Sequence, residues 1–166
     1  MDVRILATLL NLLSTARRST RAQAGTVYLQ DADGLRFLVT QNDELARSMG
    51  HAGSADLLAR MPLRWAERSL AAYVAVKRMP LNIPDAYAIP PDQPYSFNRR
   101  IDRTTGFRTT SMLVVPLLHP VDGVLQLINA TSECGDIVPF SRAAEIAVLD
   151  MLDLESGTAA RVDGQE

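Results

Sequence analysis

The chain has 166 residues, of which 47% are hydrophobic and 22% charged, ordinary usage for one globular domain and wrong for a disordered or fibrous chain. The formal net charge of −2 predicts no general attraction to nucleic acid, and a single cysteine, Cys134, allows no internal disulfide and no thiolate metal cluster. The apolar runs Ile5–Leu13 and Met112–Leu118 are interrupted or too short to cross a bilayer, and no leader with a cleavage site precedes them; a cytoplasmic protein without a membrane partner is expected.

One domain over residues 1–160 is expected, with a frayed tail at 161–166. Ile5, Leu6, Leu9, Leu10, Leu12, Leu13 and Ala16 recur at helical spacing and predict a first helix over about 2–22, apolar on more than one stripe and ended by Gly25. "TVYLQDADGLRFLVT" reads as two strands turning at Asp33-Gly34. A variable stretch without an assigned element follows, then "MPLRW" as a short strand. Glu67–Met79 predicts a short helix with Leu70, Tyr73, Val74 and Lys77 on one side, stopped by Pro80. The four prolines of Leu81–Tyr95 predict an extended loop, in which Asp85 bonds nearby amides. "SMLVVPLL" and "GVLQLINA" form a second hairpin, and a last helix over about 140–156 starts at Ser141 as its N-cap. Hairpins in both halves imply an antiparallel sheet between two layers, an α+β three-layer fold.

Charge is uneven along this order. From Ser132 to Glu166 eight acids oppose two arginines, whereas Phe97–Arg108 holds four arginines against Asp102. That polar block runs directly into a buried strand, and an anion would go there. Taken alone it reads equally as a solvated loop, with Asp102 and Thr105 capping a short turn and Arg99, Arg100, Arg103 and Arg108 facing water. Without interleaved aromatics it is a poor nucleic-acid surface. His51 and His119 are isolated, so no metal site is expected.

The residues "GTVYLQD", "SLAAYVA", "LNIPDAY", "FNRRIDRTTGFRTTSMLVVPL" and "GVLQLINA" together resemble a GAF domain, particularly those of cyclic-nucleotide phosphodiesterases and bacterial signalling proteins, over nearly the whole chain. The resemblance implies a six-stranded antiparallel sheet, a pocket between sheet and loop layer, and terminal helices that pair with a second copy in a homodimer. In members that hold cAMP or cGMP the phosphate lies at the start of the short helix, here Leu70 and Ala71. The other implied ligand contacts are Thr26, Asn98, Asp102, Thr105, Thr109 and Gln126. The family's asparagine-lysine pair is here Asn129-Ala130. Its later phenylalanine, aspartate and glutamate are Phe140, Ala144 and Glu145, so both partners of the expected salt bridge are missing and apolar contacts are left to hold the lid.

No cysteine stands where bilin-carrying relatives attach a chromophore, and one cysteine cannot both form and resolve the disulfide that methionine-sulfoxide-reducing relatives use. No phosphate loop, paired histidine-aspartate motif or nucleophile elbow occurs. The chain is therefore expected to catalyse nothing, to carry no covalent cofactor and to sense a small molecule for a fused effector. The competing expectation is a ligand-free dimerisation module.

Overall fold

In a computed structural model, which describes residues 2–60, 63–64 and 68–162, seven strands form one antiparallel sheet. They are β1 (Ala22–Gln30), β2 (Gly34–Asn42), β3 (Leu63–Arg64), β4 (Leu81–Ile83), β5 (Met112–Leu117), β6 (Gly123–Thr131) and β7 (Ile137–Val138). Six lie in the order β3-β2-β1-β6-β5-β4, and β7 pairs with the far end of β6. The helices are α1 (Val3–Thr20), α2 (Asp43–Ala59), α3 (Leu70–Lys77), α4 (Arg100–Thr105) and α5 (Arg142–Val162). Among the described residues no helix is long and apolar enough to cross a membrane.

Strand alternation divides the core. Leu113, Val115, Leu125, Leu127 and Val27 face the terminal helices and meet Leu9, Leu12, Leu13 and Ala16 of α1 and Val148 and Leu152 of α5. Met112, Val114, Val124 and Tyr28 face the other way, against Leu70, Ala71, Val74 and Ala75 of α3. On α3 the buried side thus joins Leu70 and Val74 to the alanines; Tyr73 leans instead on Tyr95, ring centroids 5.0 Å apart, and Lys77 is exposed.

Several expectations are corrected. Helix α1 stops at Thr20, with Arg21 in the left-handed region at φ 53 and its amide on the carbonyls of Arg17 and Arg18, so Gly25 does not end it. Gly25 lies inside β1, where a Cβ would stand 2.7 Å from Leu13 Cδ1 and 3.1 Å from Leu127 Cδ2; the glycine lets α1 sit close on the sheet. The stretch without an assigned element forms α2, capped by Asn42 Oδ1 on the Leu45 amide at 3.0 Å and kinked at Gly50. Its glycines and serines mask the helical period. The proline-rich loop carries β4 on the sheet edge and a 3-10 turn, Ala86–Ala88, which Asp85 caps through the Tyr87 amide. Edge position reconciles β4 with the following Pro84. The last helix starts as expected, with Ser141 Oγ accepting the Ala144 amide at 3.1 Å, but runs to Val162. Positions 61, 62, 65–67 and 163–166, where parts of the short strand, the short helix and the tail are expected, lie outside the described residues.

The missing salt bridge is replaced by neutral and carboxylate hydrogen bonds as well as apolar packing. Ser111 accepts the Ala130 amide at 3.1 Å and donates to the Val138 carbonyl at 2.7 Å, joining β6 to β7. Asn82 of β4 donates to the Phe140 carbonyl at 3.0 Å and to Glu145 at 3.1 Å, and Arg142 also binds Glu145.

Two glycines give an ordered test. At Gly123 a Cβ would stand 2.1 Å from the Tyr28 carbonyl oxygen, which is backbone, whereas the obstacle at Gly25 is mainly a side-chain methyl. Gly123→Ala is therefore expected to cost about 3 kcal/mol or more and Gly25→Ala about 1–2 kcal/mol, read as urea midpoints; equal effects would contradict this packing.

Candidate functional site between the sheet and the arginine-rich segment

The face of the sheet turned away from α1 and α5 is covered by α3 on one side and by residues 96–109, a roof containing α4, on the other. One carboxylate organises that roof. Asp102, buried, accepts the Tyr87 hydroxyl at 2.9 Å and the Thr109 amide at 2.8 Å on Oδ2, and the Thr109 hydroxyl at 2.8 Å on Oδ1. The Tyr87 ring is in turn covered by two guanidiniums, with Arg99 Cζ 4.4 Å and Arg108 Cζ 3.5 Å from its centroid, and stands 5.3 Å from the Phe97 ring. Partial burial, then the hydrogen bond and charge of Asp102, push the Tyr87 hydroxyl above the usual tyrosine value against the lowering pull of Arg108 and Arg99. Asp102 therefore serves the roof's own structure.

A second polar centre joins roof to sheet. Asn129, fully buried in β6 at φ 58, accepts the Thr110 amide at 2.7 Å and donates to the Arg108 carbonyl at 2.7 Å and to Gln23 at 3.0 Å. Asparagine tolerates the left-handed region better than most residues, and its amide supplies both donor and acceptor.

Beneath the roof lie two cavities of about 80 and about 60 Å³. Tyr28, Phe97, Asn98, Ile101, Met112 and Gln126 line both, so they are two lobes parted by side chains. Leu70 and Ala71 line the first lobe; Thr26, Asp102 and Thr109 line the second. Thr105 lines neither: its hydroxyl donates to the Ile101 carbonyl at 2.8 Å and accepts the Phe107 amide at 3.2 Å. Several lining groups are already bonded. Thr26 shares a hydrogen bond with Thr40 at 3.2 Å, and Asn98 Oδ1 accepts the Arg100 amide at 2.9 Å.

Other groups face the lobes without such partners. Among the described residues, neither the Tyr28 hydroxyl nor the Gln126 carboxamide hydrogen-bonds another protein group. At α3, Ser69 takes the Ala72 amide on its hydroxyl at 3.0 Å and the Tyr73 amide on its carbonyl at 3.0 Å; a parallel bridge between Ser69 and Ser96 ties the helix start to the roof and turns the Leu70 amide toward the Ser96 carbonyl, while the Ala71 amide has no partner within the helix. Tyr28, Phe97, Ile101 and Met112 were not among the expected site residues. Two-residue alternation from Thr26 points to Tyr28, but nothing in the chain's local pattern turns Phe97 and Ile101 inward. Among the described residues no group of three or more histidine, cysteine, aspartate or glutamate side chains could hold a metal.

Residues 4–152 match the family described as GAF domain. The chain belongs to the GAF family. A stretch of 69 residues, 39% of this chain, is 42% identical to the dual 3',5'-cyclic-AMP and -GMP phosphodiesterase 11 of Drosophila melanogaster, and spans only 4% of that protein's length. Among solved structures, the GAF domain/HD domain protein from Geobacter sulfurreducens superposes with a TM-score of 0.66 at 15% identity, over 98% of this chain and 96% of that one. A type II free methionine-R-sulfoxide reductase from Thermoplasma acidophilum gives 0.60 at 12% identity, over 91% and 89%. The GAF domain is generally a regulatory, sensing domain of signalling proteins, and the reductase shows that the same fold also supports catalysis.

Burial raises the Tyr28 hydroxyl to about 12, above an unfolded value of about 10. The folded state holds this proton more tightly, so the associated stability is complete below about pH 10 and is lost between about pH 10 and 12. Unfolding free energies from urea melts should fall by up to about 1.4 kcal/mol per pH unit from this group between about pH 10 and 12, and Tyr28→Phe should flatten the decline. An unchanged slope in that variant would show that the hydroxyl is solvated.

Proposed function

We propose that this domain is a small-molecule sensor that binds a cyclic nucleotide, cAMP or cGMP, between sheet and roof and transmits through α1 and α5. The observation carrying this reading is the pair of unpartnered neutral groups, Tyr28 hydroxyl and Gln126 carboxamide, facing a space that also meets the first turn of α3. A carboxamide offers both a donor and an acceptor to either purine, and the first-turn amides of Leu70 and Ala71 suit a phosphate. Thr26, Asn98 and Thr109 line the same space and complete the candidate contacts, with Asp102 and Thr105 acting through the roof's structure. The similarity to a cyclic-nucleotide phosphodiesterase supports the ligand class.

The lobes are far smaller than the roughly 300 Å³ at which ligand pockets begin, so Phe97, Asn98 and Ile101 must move outward to admit a nucleotide. Binding therefore selects an open roof, and the apparent affinity is reduced by the fraction of molecules that are open. Roof and terminal helices grip opposite faces of the same strands, so a changed sheet repacks α1 against α5, with a coupling of about 1–3 kcal/mol. Leu10 and Ile146 on those helices are 37% and 44% exposed and support pairing with a second copy. The single cysteine, free and exposed, supports a reducing, cytoplasmic setting and a role without redox catalysis. The small lobes favour one alternative, a dimerisation module without ligand.

Thermal unfolding with cAMP and with cGMP separates the two. A sensor gains about 2.7 kcal/mol at about 100 times the dissociation constant, and Gln126→Ala should weaken that gain at least tenfold in affinity. No shift with either nucleotide, together with a dimer in sedimentation, would replace sensing by scaffolding.

A further inference from the structure

The outside of the roof carries a second feature that the sensing site does not use. Four arginines fall within residues 99–108, all exposed. The described residues form six ion pairs, at Arg17, Arg21, Arg36, Arg60, Arg78 and Arg142, and none involves the roof. The one carboxylate within this segment, Asp102, points inward to Tyr87 and Thr109. Arg99 and Arg108 are taken up by the Tyr87 ring, and Arg99 also donates to the Tyr87 carbonyl at 3.4 Å; among the described residues the Arg100 and Arg103 guanidiniums have neither an ion pair nor a ring contact, in a chain with more acids than bases.

This arrangement works against the local structure. Arg99 and Arg103 are four residues apart and Arg100 and Arg103 three apart, spacings at which like charges repel on a helix face. Two of them also lie at the positive end of α4. A six-residue helix has little stability of its own to offset this, and a local rule broken at Arg100 and Arg103, which no internal contact offsets, points to a ligand.

Along the roof runs an open groove of about 680 Å³ lined by Phe97, Asn98, Arg99, Arg100, Arg103 and Thr104. The three arginines lining it, Arg99, Arg100 and Arg103, fall within four residue steps of α4 and its N-cap, about 6 Å along a helix axis. That span suits two or three linked phosphoryl groups better than an extended acidic peptide. Guanidinium forks pair with phosphoryl oxygens two bonds at a time, and of the groove's arginines Arg99 is already oriented by the Tyr87 ring.

We propose that this groove is a binding site for a small molecule carrying adjacent phosphoryl groups, such as a nucleoside polyphosphate, separate from the neutral cavity beneath it. Phe97 and Asn98 line the groove and both lobes, so an anion here bears on the wall of the inner space.

Pyrophosphate is the probe, titrated calorimetrically into the whole chain against sodium chloride of equal ionic strength. Saturable binding is expected, and it should weaken at least about tenfold in each of Arg100→Gln and Arg103→Gln. Arg103→Lys should recover only part of the loss, because it restores charge without the fork. Without anion, both glutamine variants should melt at or above the wild-type temperature, since repulsion is relieved. No saturable heat in the wild type, unchanged binding in the double variant, or a fall in melting temperature that marks the arginines as structural would each overturn the proposal. Saturation by polyglutamate with none by pyrophosphate would likewise replace it by a peptide-docking surface. The outcome is independent of whether cAMP or cGMP stabilises the chain.

Discussion

A buried carboxylate with three donors sets the shape of the roofed side of the sheet. Asp102 joins α4 to the 3-10 turn through Tyr87 and to the approach of β5 through Thr109. A buried charge without those partners would cost several kcal/mol, so the three groups hold one another in place. Asn129 extends the same logic to the sheet, since its side chain takes up backbone groups of Arg108 and Thr110 and the side chain of Gln23. Roof, turn and central strand thereby become one unit, and the space beneath them exists because Asp102 and Asn129 hold the roof above Tyr28 and Gln126.

The two sides of the sheet are built for different work. Toward α1 and α5 the strands present leucine and valine in a closed apolar layer, which gives a small rearrangement no polar alternative and favours motion of whole helices. Toward the roof the same strands present Thr26, Tyr28 and Gln126, and the packing leaves room. Inside, the lining is neutral apart from the committed Asp102; outside, Arg99 and Arg108 cover the Tyr87 ring and Arg100 and Arg103 are exposed. Phe97 and Asn98 are the wall between the two.

Much of the fold was legible because alternation and turn chemistry are local. The two hairpins, the Ser141 cap and the Asp85 turn follow from residues within a few positions of one another. Helix α2 was not legible, because Gly50, Gly53 and Ser48 dilute its period and its start rests on the Asn42 side chain. Gly25 misled for the opposite reason: its meaning lies in Leu13 and Leu127, which approach it from elsewhere in the chain. The site divides in the same way. Thr26, Leu70, Ala71, Asn98, Asp102, Thr109 and Gln126 do line the cavities, but which groups are spent internally depends on distant partners, as Asp102 does on Tyr87. Thr105 faces its own helix turn, a detail that one register step in α4 decides.

The role of Asp102 as the fastening of a roof that can open locally is tested most directly by native-state amide hydrogen exchange in the wild type and in Asp102→Asn. Losing one charge-assisted acceptor should speed exchange across residues 97–110 by about tenfold or more, while β1, β5 and β6 keep their protection. A uniform rise across all strands, or no change in the roof, would contradict the account.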